Sequence, residues 1–335
     1  MSTNEPSFLK KGFFWPSKNI AFAIPIMLII GFLAGIWVDT SILKQWVLPI
    51  TMLMIYPTMI GFKAKEVFNM SQGKLFLTVM GLNFLVIPGV AYILGTGFLL
   101  KDPQLFAGLA ITALLPTSNM TIAFTMLAKG NVPAAIQMTT SGLLLGSVLA
   151  PGYLYLMVGK YVPVDIFLTL KTIALVIIIP LIFGMLTYKF LMKRYSQEHF
   201  QKKIKPFLPA ASTWGMLLII FISMSMNAKR IAQHLDIFAM ALGVQMVFYA
   251  INYLLAILVG RRFFSEKDAL TLVFSTVLRN LSISIGLAAT AFGSNAALMV
   301  SLAFLIQGQV AAWFIKLNEK YGFLKRGTPI KVVKE

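Results

Sequence analysis

Long apolar stretches alternate with short charged segments along the whole chain. A transmembrane helix needs about 20 mostly apolar residues, and stretches of that length predict ten spans at residues 18–38, 43–62, 75–99, 103–128, 132–157, 172–192, 207–227, 237–259, 269–292 and 296–315. The residues before the first stretch lack the pattern of a cleaved signal peptide, so we expect the first span to be retained. The chain is therefore predicted to be an all-α polytopic membrane protein.

The composition agrees with a membrane protein and excludes several other classes. Apolar residues make up 58% of the 335 residues and charged residues 12%, whereas soluble domains have about 25% charged residues. The chain has no cysteine, so disulfides, thiolate metal sites and a cysteine nucleophile are excluded. The net charge of +18 is spread over loops and forms no folded basic face. We therefore expect membrane lipids as surroundings and no nucleic acid partner.

The basic residues are divided unevenly between the two sides of the predicted bundle. With ten spans, 22 of the 29 Lys and Arg residues fall on the side of the termini, six on the opposite side and one inside a span. Basic residues are enriched in cytoplasmic loops. We therefore predict a multi-pass protein of the cell membrane with cytoplasmic N- and C-termini.

The ten predicted spans form two halves of five. Because five is odd, two similar halves would lie inverted in the membrane. A weak similarity at an offset of 163 residues joins span 4 to span 9, for example Asn119 with Ser282 and Gly130 with Gly293. We expect one five-helix repeat over residues 1–160, a second over 161–318 and a basic cytoplasmic tail over 319–335.

Span 4 carries a polar motif near its middle, which contains Pro116, Thr117, Ser118, Asn119 and Thr121. Proline lacks an amide hydrogen and frees backbone carbonyls of the preceding turn, and in lipid those groups need other partners. The motif predicts either a kinked helix whose hydroxyls bond their own backbone or a broken helix that faces a ligand.

Span 9 favours the second interpretation because it contains Arg279, followed by Asn280 and Ser282. Arg279 lies 11 residues after Asp268, about 16 Å along a helix, which is too far to reach the cytoplasmic surface. A buried arginine costs at least ~2.5–3.5 kcal/mol and usually faces a cavity or a partner. It can bind carbonyls of the broken span 4, or it can present a planar fork of donors to an oxyanion.

The acidic residues offer Arg279 no partner at its own depth. All eleven Asp and Glu residues, and both histidines, lie in loops or near span ends. A buried cation without a carboxylate recruits an anion, backbone carbonyls or water. The same distribution leaves no proton relay and no general base in the membrane, so we do not expect an enzyme. Other polar residues of the spans are predicted to bond across helices; these are Asn83, Gln137, Gln245, Asn252, Gln307 and Gln309.

These motifs resemble the bile acid/sodium symporter superfamily. The resemblance rests on Pro116 to Asn119, Leu127 to Asn131, Arg279-Asn280 and Ile285 to Ala288. The segment from Leu53 to Pro57 is more similar to the arsenite-efflux permease branch. The resemblance implies two inverted five-helix repeats, in which discontinuous helices 4 and 9 cross in a core and a panel of helices moves against that core.

The resemblance also implies roles for individual residues. Ser118 and Asn119 match the pair that helps bind sodium in bile acid-type members, and Asn280 matches the polar residue of the second break. The arsenite branch has cysteine where Thr117 stands and an acid where Ser282 stands. The sodium-coupled bile acid members have Glu where Ser275 stands and Gln in place of Arg279. We therefore expect the fold and translocation site of the family with an altered substrate and altered coupling.

The leading prediction is a secondary active transporter that carries a small anionic solute by alternating access, with Arg279 as a fixed positive charge. The predicted substrate-binding residues are Arg279, Asn280, Ser282, Thr117, Ser118 and Asn119, with Pro116 at the helix break. One sodium ion at Ser118, Asn119 and Thr121 is left open as a coupling ion; no other cofactor, metal or protein partner is expected. An arsenite or other oxyanion efflux permease, and a channel or membrane receptor, are the alternatives.

Overall fold

A computed structural model describes residues 8–61, 72–162 and 166–325. Within these ranges the side chains at positions 8–11, 21, 119, 166 and 168 are not described. Three predicted features lie outside the described residues: the end of the second span at residue 62, the start of the second repeat around 163–165, and the tail from residue 326 onward. The side chain of Asn119 is likewise outside the description.

The regular secondary structure of the described residues consists of helices. The thirteen main helices are α1 (Phe8–Lys18), α2 (Ile20–Trp37), α3 (Val47–Met59), α4 (Gly73–Phe98), α5 (Pro103–Leu114), α6 (Asn119–Leu127), α7 (Val132–Val158), α8 (Thr169–Arg194), α9 (Gln197–Gln233), α10 (Leu235–Phe263), α11 (Glu266–Val277), α12 (Leu281–Ala291) and α13 (Ser294–Tyr321). A 3₁₀ turn at Ser41–Trp46 precedes α3. The all-α class predicted from the sequence is confirmed for this part of the chain.

Among the described residues, six helices are long and apolar enough to cross a membrane alone: α4, α7, α8, α9, α10 and α13. The bent pair α1 and α2 adds at most one more. The other predicted spans coincide with the shorter α3 and with the interrupted pairs α5–α6 and α11–α12. The protein is thus a multi-pass membrane protein, and the number of ten spans stays a prediction.

The helix ends differ from the predicted boundaries at spans 7 and 8. Helix α9 continues to Gln233 and α10 begins at Leu235, so the two helices are separated by His234 alone. Lys229 and Arg230, which we predicted in a loop, lie at the end of α9. Charged residues at a helix end can extend their long side chains to the membrane surface. A prediction that ends a span where the apolar stretch ends therefore places the end of the helix too early.

Proline explains the irregular turns inside α4 and α8. In each helix a π-helical turn, Leu82–Val86 or Ala174–Ile178, is followed directly by Ile and Pro. Proline cannot donate to the carbonyl four residues earlier, which for Pro88 is that of Phe84. The Tyr153 hydroxyl on α7 donates to this carbonyl, so the irregular turn also joins two helices.

The helices fall into two packed groups. We call α2, α3, α8 and α9 the panel, because α9 packs against α2 and α3, and α3 packs against α8. We call α4–α7 together with α10–α13 the core. Small residues allow close approach within the panel: a Cβ on Gly35 would lie 2.0 Å from the Ser225 carbonyl oxygen. Panel and core meet where α3 and α9 lie against α12 and α13.

Polar contacts between loops agree with the predicted grouping of the two sides. At one end, Arg230 Nη2 lies 2.6 Å from Asp102 Oδ2, and both residues are predicted on the side opposite the termini. At the other end, Asn131 Nδ2 donates to Asp268 Oδ1 at 2.9 Å, and both residues are predicted on the side of the termini. These pairs fit an arrangement in which successive spans alternate in direction.

Candidate functional site

The two polar motifs of the sequence form breaks that pair with each other. Helix α5 ends at Leu114 and α6 begins at Asn119, whereas α11 ends at Val277 and α12 begins at Leu281. We call residues 115–118 and 278–280 the crossing. The Thr117 amide donates to the Leu278 carbonyl at 2.8 Å, and the Asn280 amide donates to the Leu115 carbonyl at 2.9 Å. Each break therefore satisfies backbone groups of the other, as buried backbone requires.

The pairing also relates the two breaks by a local symmetry. The crossing contains an antiparallel β-bridge between Pro116 and Arg279, which are 163 residues apart, and the ends of α5 and α11 have the same separation. This separation is the offset at which the sequence shows internal similarity. An antiparallel pair of equivalent residues lies on a two-fold axis, so the crossing has the symmetry expected of inverted repeats. The repeat of the complete halves stays a prediction.

Thr117 is buried and contacts backbone atoms of the protein. Its φ of +60° is unusual for a β-branched residue, and its Oγ1 lies 2.6 Å from the Pro116 carbonyl oxygen and 3.3 Å from that of Met138 on α7. Its predicted place at the break is thus observed, but its hydroxyl holds the backbone of the crossing and points away from open space. Strained backbone of this kind is maintained by its surroundings.

Ser118 and Thr121 cap the start of α6. The Met120 amide donates to Ser118 Oγ at 3.2 Å, and the Ser118 amide donates to Thr121 Oγ1 at 3.1 Å. This reciprocal pair satisfies amides that a helix start leaves without partners. Thr121 Oγ1 also lies 3.5 Å from the Phe274 carbonyl oxygen on α11. Both hydroxyls predicted to hold sodium therefore have a capping role, and Ser118 is only half-buried.

Asn280 and Ser282 occupy the equivalent place at the start of α12. Asn280 caps the helix, because its Oδ1 accepts from the Ile283 amide at 3.3 Å. The Ser282 hydroxyl lies 4.0 Å from the sulfur of Met216 on the panel helix α9. Both residues are half-buried, so this side of the crossing faces the boundary between core and panel.

Arg279 is fully buried and only partly satisfied. Its Nη1 donates to the Ala113 carbonyl at the end of α5 over 3.3 Å, whereas Nε and Nη2 have no hydrogen-bond partner among the described residues. These two nitrogens form one edge of the guanidinium, the edge that binds carboxylates and other oxyanions in bidentate fashion. The first interpretation from the sequence, a bond to carbonyls of the broken helix, is thus observed for one edge. The other edge has no partner among the described residues, and its role toward an oxyanion stays a prediction.

Gln307 on α13 holds the backbone of Arg279 on both sides. The Arg279 amide donates to Gln307 Oε1 at 2.7 Å, and Gln307 Nε2 donates back to the Arg279 carbonyl at 3.1 Å. The Tyr249 hydroxyl on α10 donates to the same Oε1 at 2.9 Å. The sequence indicated a polar residue that bonds across helices, but only the fold shows that its partner is the crossing.

Asn83 and Gln245 likewise bond across helices as predicted. Asn83 lies in the π-helical turn of α4 and donates to the Ser275 carbonyl near the end of α11 at 3.0 Å. Gln245 on α10 donates to the Met299 carbonyl on α13 at 3.0 Å. These bonds anchor α13, which carries Gln307, and α11, which ends two residues before Arg279.

Two glycines of α7 allow the break of span 4 to approach that helix. A Cβ on Gly142 would lie 2.6 Å from Thr117 Oγ1, and a Cβ on Gly146 would lie 2.9 Å from the Leu114 carbonyl oxygen. The four-residue spacing places both glycines on one face, an arrangement that lets membrane helices pack closely.

We expect Gly142→Ala and Gly146→Ala to lower the thermal unfolding midpoint of the purified protein. Overpacking costs about 1–3 kcal/mol, and here the added methyl group meets groups already held in place. Gly152→Ala on the same helix is the matched control, since nothing lies within 4 Å of its Cβ. Equal midpoints for all three variants in one detergent would contradict the tight approach.

Comparison with known proteins identifies the family. Residues 48–234, more than half of the chain, match the model of the Sodium Bile acid symporter family. The chain belongs to this family. Its members are transporters, so the protein is a membrane transporter of small solutes.

Two related proteins extend the similarity along the chain. Uncharacterized protein YbaS of Bacillus subtilis is 26% identical over 227 residues, which cover 66% of this chain and 71% of that protein. Uncharacterized protein PA2026 of Pseudomonas aeruginosa is 25% identical over 282 residues, which cover 81% of this chain and 83% of that protein. Neither name assigns a solute, and the greater similarity to the arsenite-efflux branch stays a prediction.

Proposed function

We propose that the protein is a secondary active transporter that carries a small anionic solute by alternating access. The observation that carries this proposal is the unpartnered edge of Arg279. A fully buried guanidinium with two unpartnered donors, and with no acidic residue at its depth, attracts an anion of matching geometry. In this proposal Arg279 is the fixed positive charge of the transport site.

Helix dipoles at the crossing support an anionic solute. The starts of α6 and α12 lie at the crossing and carry partial positive charge, whereas the ends of α5 and α11 carry partial negative charge. Arg279 donates to the Ala113 carbonyl and thus offsets the negative end of α5. The remaining field at the starts of α6 and α12 favours negative charge.

The solute path in this proposal lies along the boundary between core and panel. Ser282 is half-buried beside Met216 of the panel, and Ser118 and Asn280 at the two breaks are also half-buried. Movement of the panel against the core would open this boundary alternately to the two sides, and the charge of Arg279 would act on a solute beside the crossing. Asn119 and Thr117 complete the proposed set, with Thr117 acting by shaping the backbone.

Coupling in this proposal uses no proton relay. The acidic residues lie in loops or near helix ends, so exchange of anions, or cotransport with one sodium ion near Ser118, Asn119 and Thr121, drives the cycle. Sodium dependence is the observable that separates these two modes. Proteoliposomes with and without a sodium gradient measure it.

Counterflow in proteoliposomes tests the proposed function. A thermal-shift screen of small carboxylates and inorganic oxyanions, with and without sodium, first selects a ligand, since a ligand of the folded state raises the unfolding midpoint. We expect the selected anion to show saturable counterflow, in which unlabelled anion inside accelerates uptake of labelled anion. Non-saturating ohmic current would instead indicate a channel, and counterflow of neutral solutes alone would contradict the anionic substrate.

Export of arsenite or another oxyanion is the second candidate. The same bidentate edge of Arg279 fits oxyanions as well as carboxylates, although thiolates that would bind trivalent arsenic are absent from the chain. Growth of an arsenite-sensitive host with and without the gene separates the two candidates. Protection from arsenite would favour this one.

A further inference from the structure

A pocket of about 150 Å³ lies between panel and core, away from the crossing. Its lining includes Lys44 next to α3, Gln104 at the start of α5, Ile219 on α9 and Ala289 on α12. The loops around it are predicted on the side opposite the termini. We propose that this pocket is an external vestibule that captures small anions before they reach the crossing, with Lys44 as the capturing charge.

The vestibule leads toward the proposed transport site. Ile219 lies three residues, or about 4.5 Å along the helix, from Met216, which contacts Ser282. Ala289 lies seven residues, or about 10 Å along α12, from Ser282. The Met216–Ser282 contact therefore forms the floor of the vestibule and separates it from the crossing.

A second contact between panel and core lies close to the Met216–Ser282 contact. A Cβ on Gly286 would lie 2.2 Å from Thr51 Cγ2, so α12 of the core and α3 of the panel touch closely at this level. Panel and core are thus in contact below the pocket, and beside the pocket the Ser223 hydroxyl of α9 donates to the Ser294 carbonyl of α13 at 3.0 Å.

The charges around the vestibule favour anions. No acidic residue is among the described lining residues, and Lys44 forms no ion pair with described residues. Nearby acids have other partners: Asp102 pairs with Arg230 at 2.6 Å. The Ser41 amide donates to Asp39 at 3.0 Å and lowers the pKa of that carboxyl, and Lys229 attracts its charge. Lys44 is therefore left to attract incoming anions by its field.

The volume suits a small anion. Pockets for drug-sized ligands have about 300–1,000 Å³, whereas this pocket of about 150 Å³ has room for an inorganic oxyanion or a short carboxylate. Ser223 on α9 and Ser294 at the start of α13 add polar groups to a lining that is otherwise largely apolar. The vestibule concerns access to the site of the proposed function, and its anion preference rests on that function.

Cysteine labelling tests the vestibule without knowledge of the solute, because the natural chain has no cysteine. In intact cells, Ala289→Cys is treated from outside with membrane-impermeant methanethiosulfonates, one carrying a sulfonate and the other a trimethylammonium group. Leu218→Cys is the matched control: it neighbours Ile219 but is 43% exposed outside the pocket lining, facing lipid. The labelling rates of Ala289→Cys are measured again in double variants that also carry Lys44→Gln or Lys44→Arg.

We expect both reagents to modify Ala289→Cys from outside and to leave Leu218→Cys largely unmodified. The rate ratio of anionic to cationic reagent should fall at least threefold in Lys44→Gln and stay near its original value in Lys44→Arg. Modification only in inside-out vesicles, or a ratio that Lys44→Gln does not change, would overturn the proposal. Labelling requires no transport, so absent counterflow together with normal labelling would remove the proposed function and leave the vestibule.

Discussion

Arg279→Gln is expected to lower anion counterflow at least tenfold while the protein still reaches the membrane. Glutamine keeps hydrogen-bonding groups at this position but removes the charge and the bidentate edge formed by Nε and Nη2. Hydrogen bonds to charged groups contribute about 1.5–3 kcal/mol each, and about 1.4 kcal/mol corresponds to tenfold in affinity. Counterflow of the selected anion, normalised to reconstituted protein, measures the effect.

Arg279→Lys is the matched control for this result. Lysine keeps the positive charge but lacks the planar fork, so we expect counterflow between that of the wild type and that of Arg279→Gln. Unfolding midpoints of both variants show whether the loss comes from unfolding, because both also lose the geometry of the bond to the Ala113 carbonyl. Undiminished flux in Arg279→Gln would remove Arg279 from the mechanism.

The sequence predicted the helical stretches well because membrane thickness sets their length. Spans 5 and 10 coincide with α7 and α13, and both breaks lie at the predicted motifs. A proline followed by several polar residues, and a buried charge, both disfavour a regular helix in lipid, so these positions are visible without a structure. Pro151 alone leaves α7 continuous. The offset of 163 residues likewise holds at the crossing, where equivalent positions pair.

The partners of the site residues could not be predicted from the sequence. Thr117 was expected to bind solute, but the left-handed backbone at this residue turns its hydroxyl to the Pro116 carbonyl. Gln307 looked like any polar residue in a span, and its contact with Arg279 joins residues on different helices. The pocket beside Lys44 is lined by residues of both panel and core, which lie far apart in the sequence. Each of these features depends on packing between helices, which hydropathy and motif spacing do not specify.

Gln307 variants are expected to separate stability from solute affinity. Gln307→Leu removes the partners of the Arg279 amide, the Arg279 carbonyl and the Tyr249 hydroxyl. An unsatisfied buried group costs about 1–3 kcal/mol, so we expect a much lower unfolding midpoint and little functional protein. Thermal unfolding in detergent measures this loss, and Tyr249→Phe, which removes a single one of these bonds, is the graded control.

Gln307→Glu is expected to fold and to bind the anion more weakly. A carboxylate still accepts from the Arg279 amide and from Tyr249, but it cannot donate to the Arg279 carbonyl, and it adds a negative charge. At an effective dielectric constant of 20, two unit charges interact by about 1.4 kcal/mol or more at separations up to roughly 12 Å, and about 1.4 kcal/mol corresponds to tenfold in affinity. We therefore expect the KM of counterflow to rise more than tenfold, with a fall in unfolding midpoint that is smaller than that of Gln307→Leu. An unchanged KM in the folded variant would show that Gln307 holds the crossing while the charge at its side chain does not act on the solute.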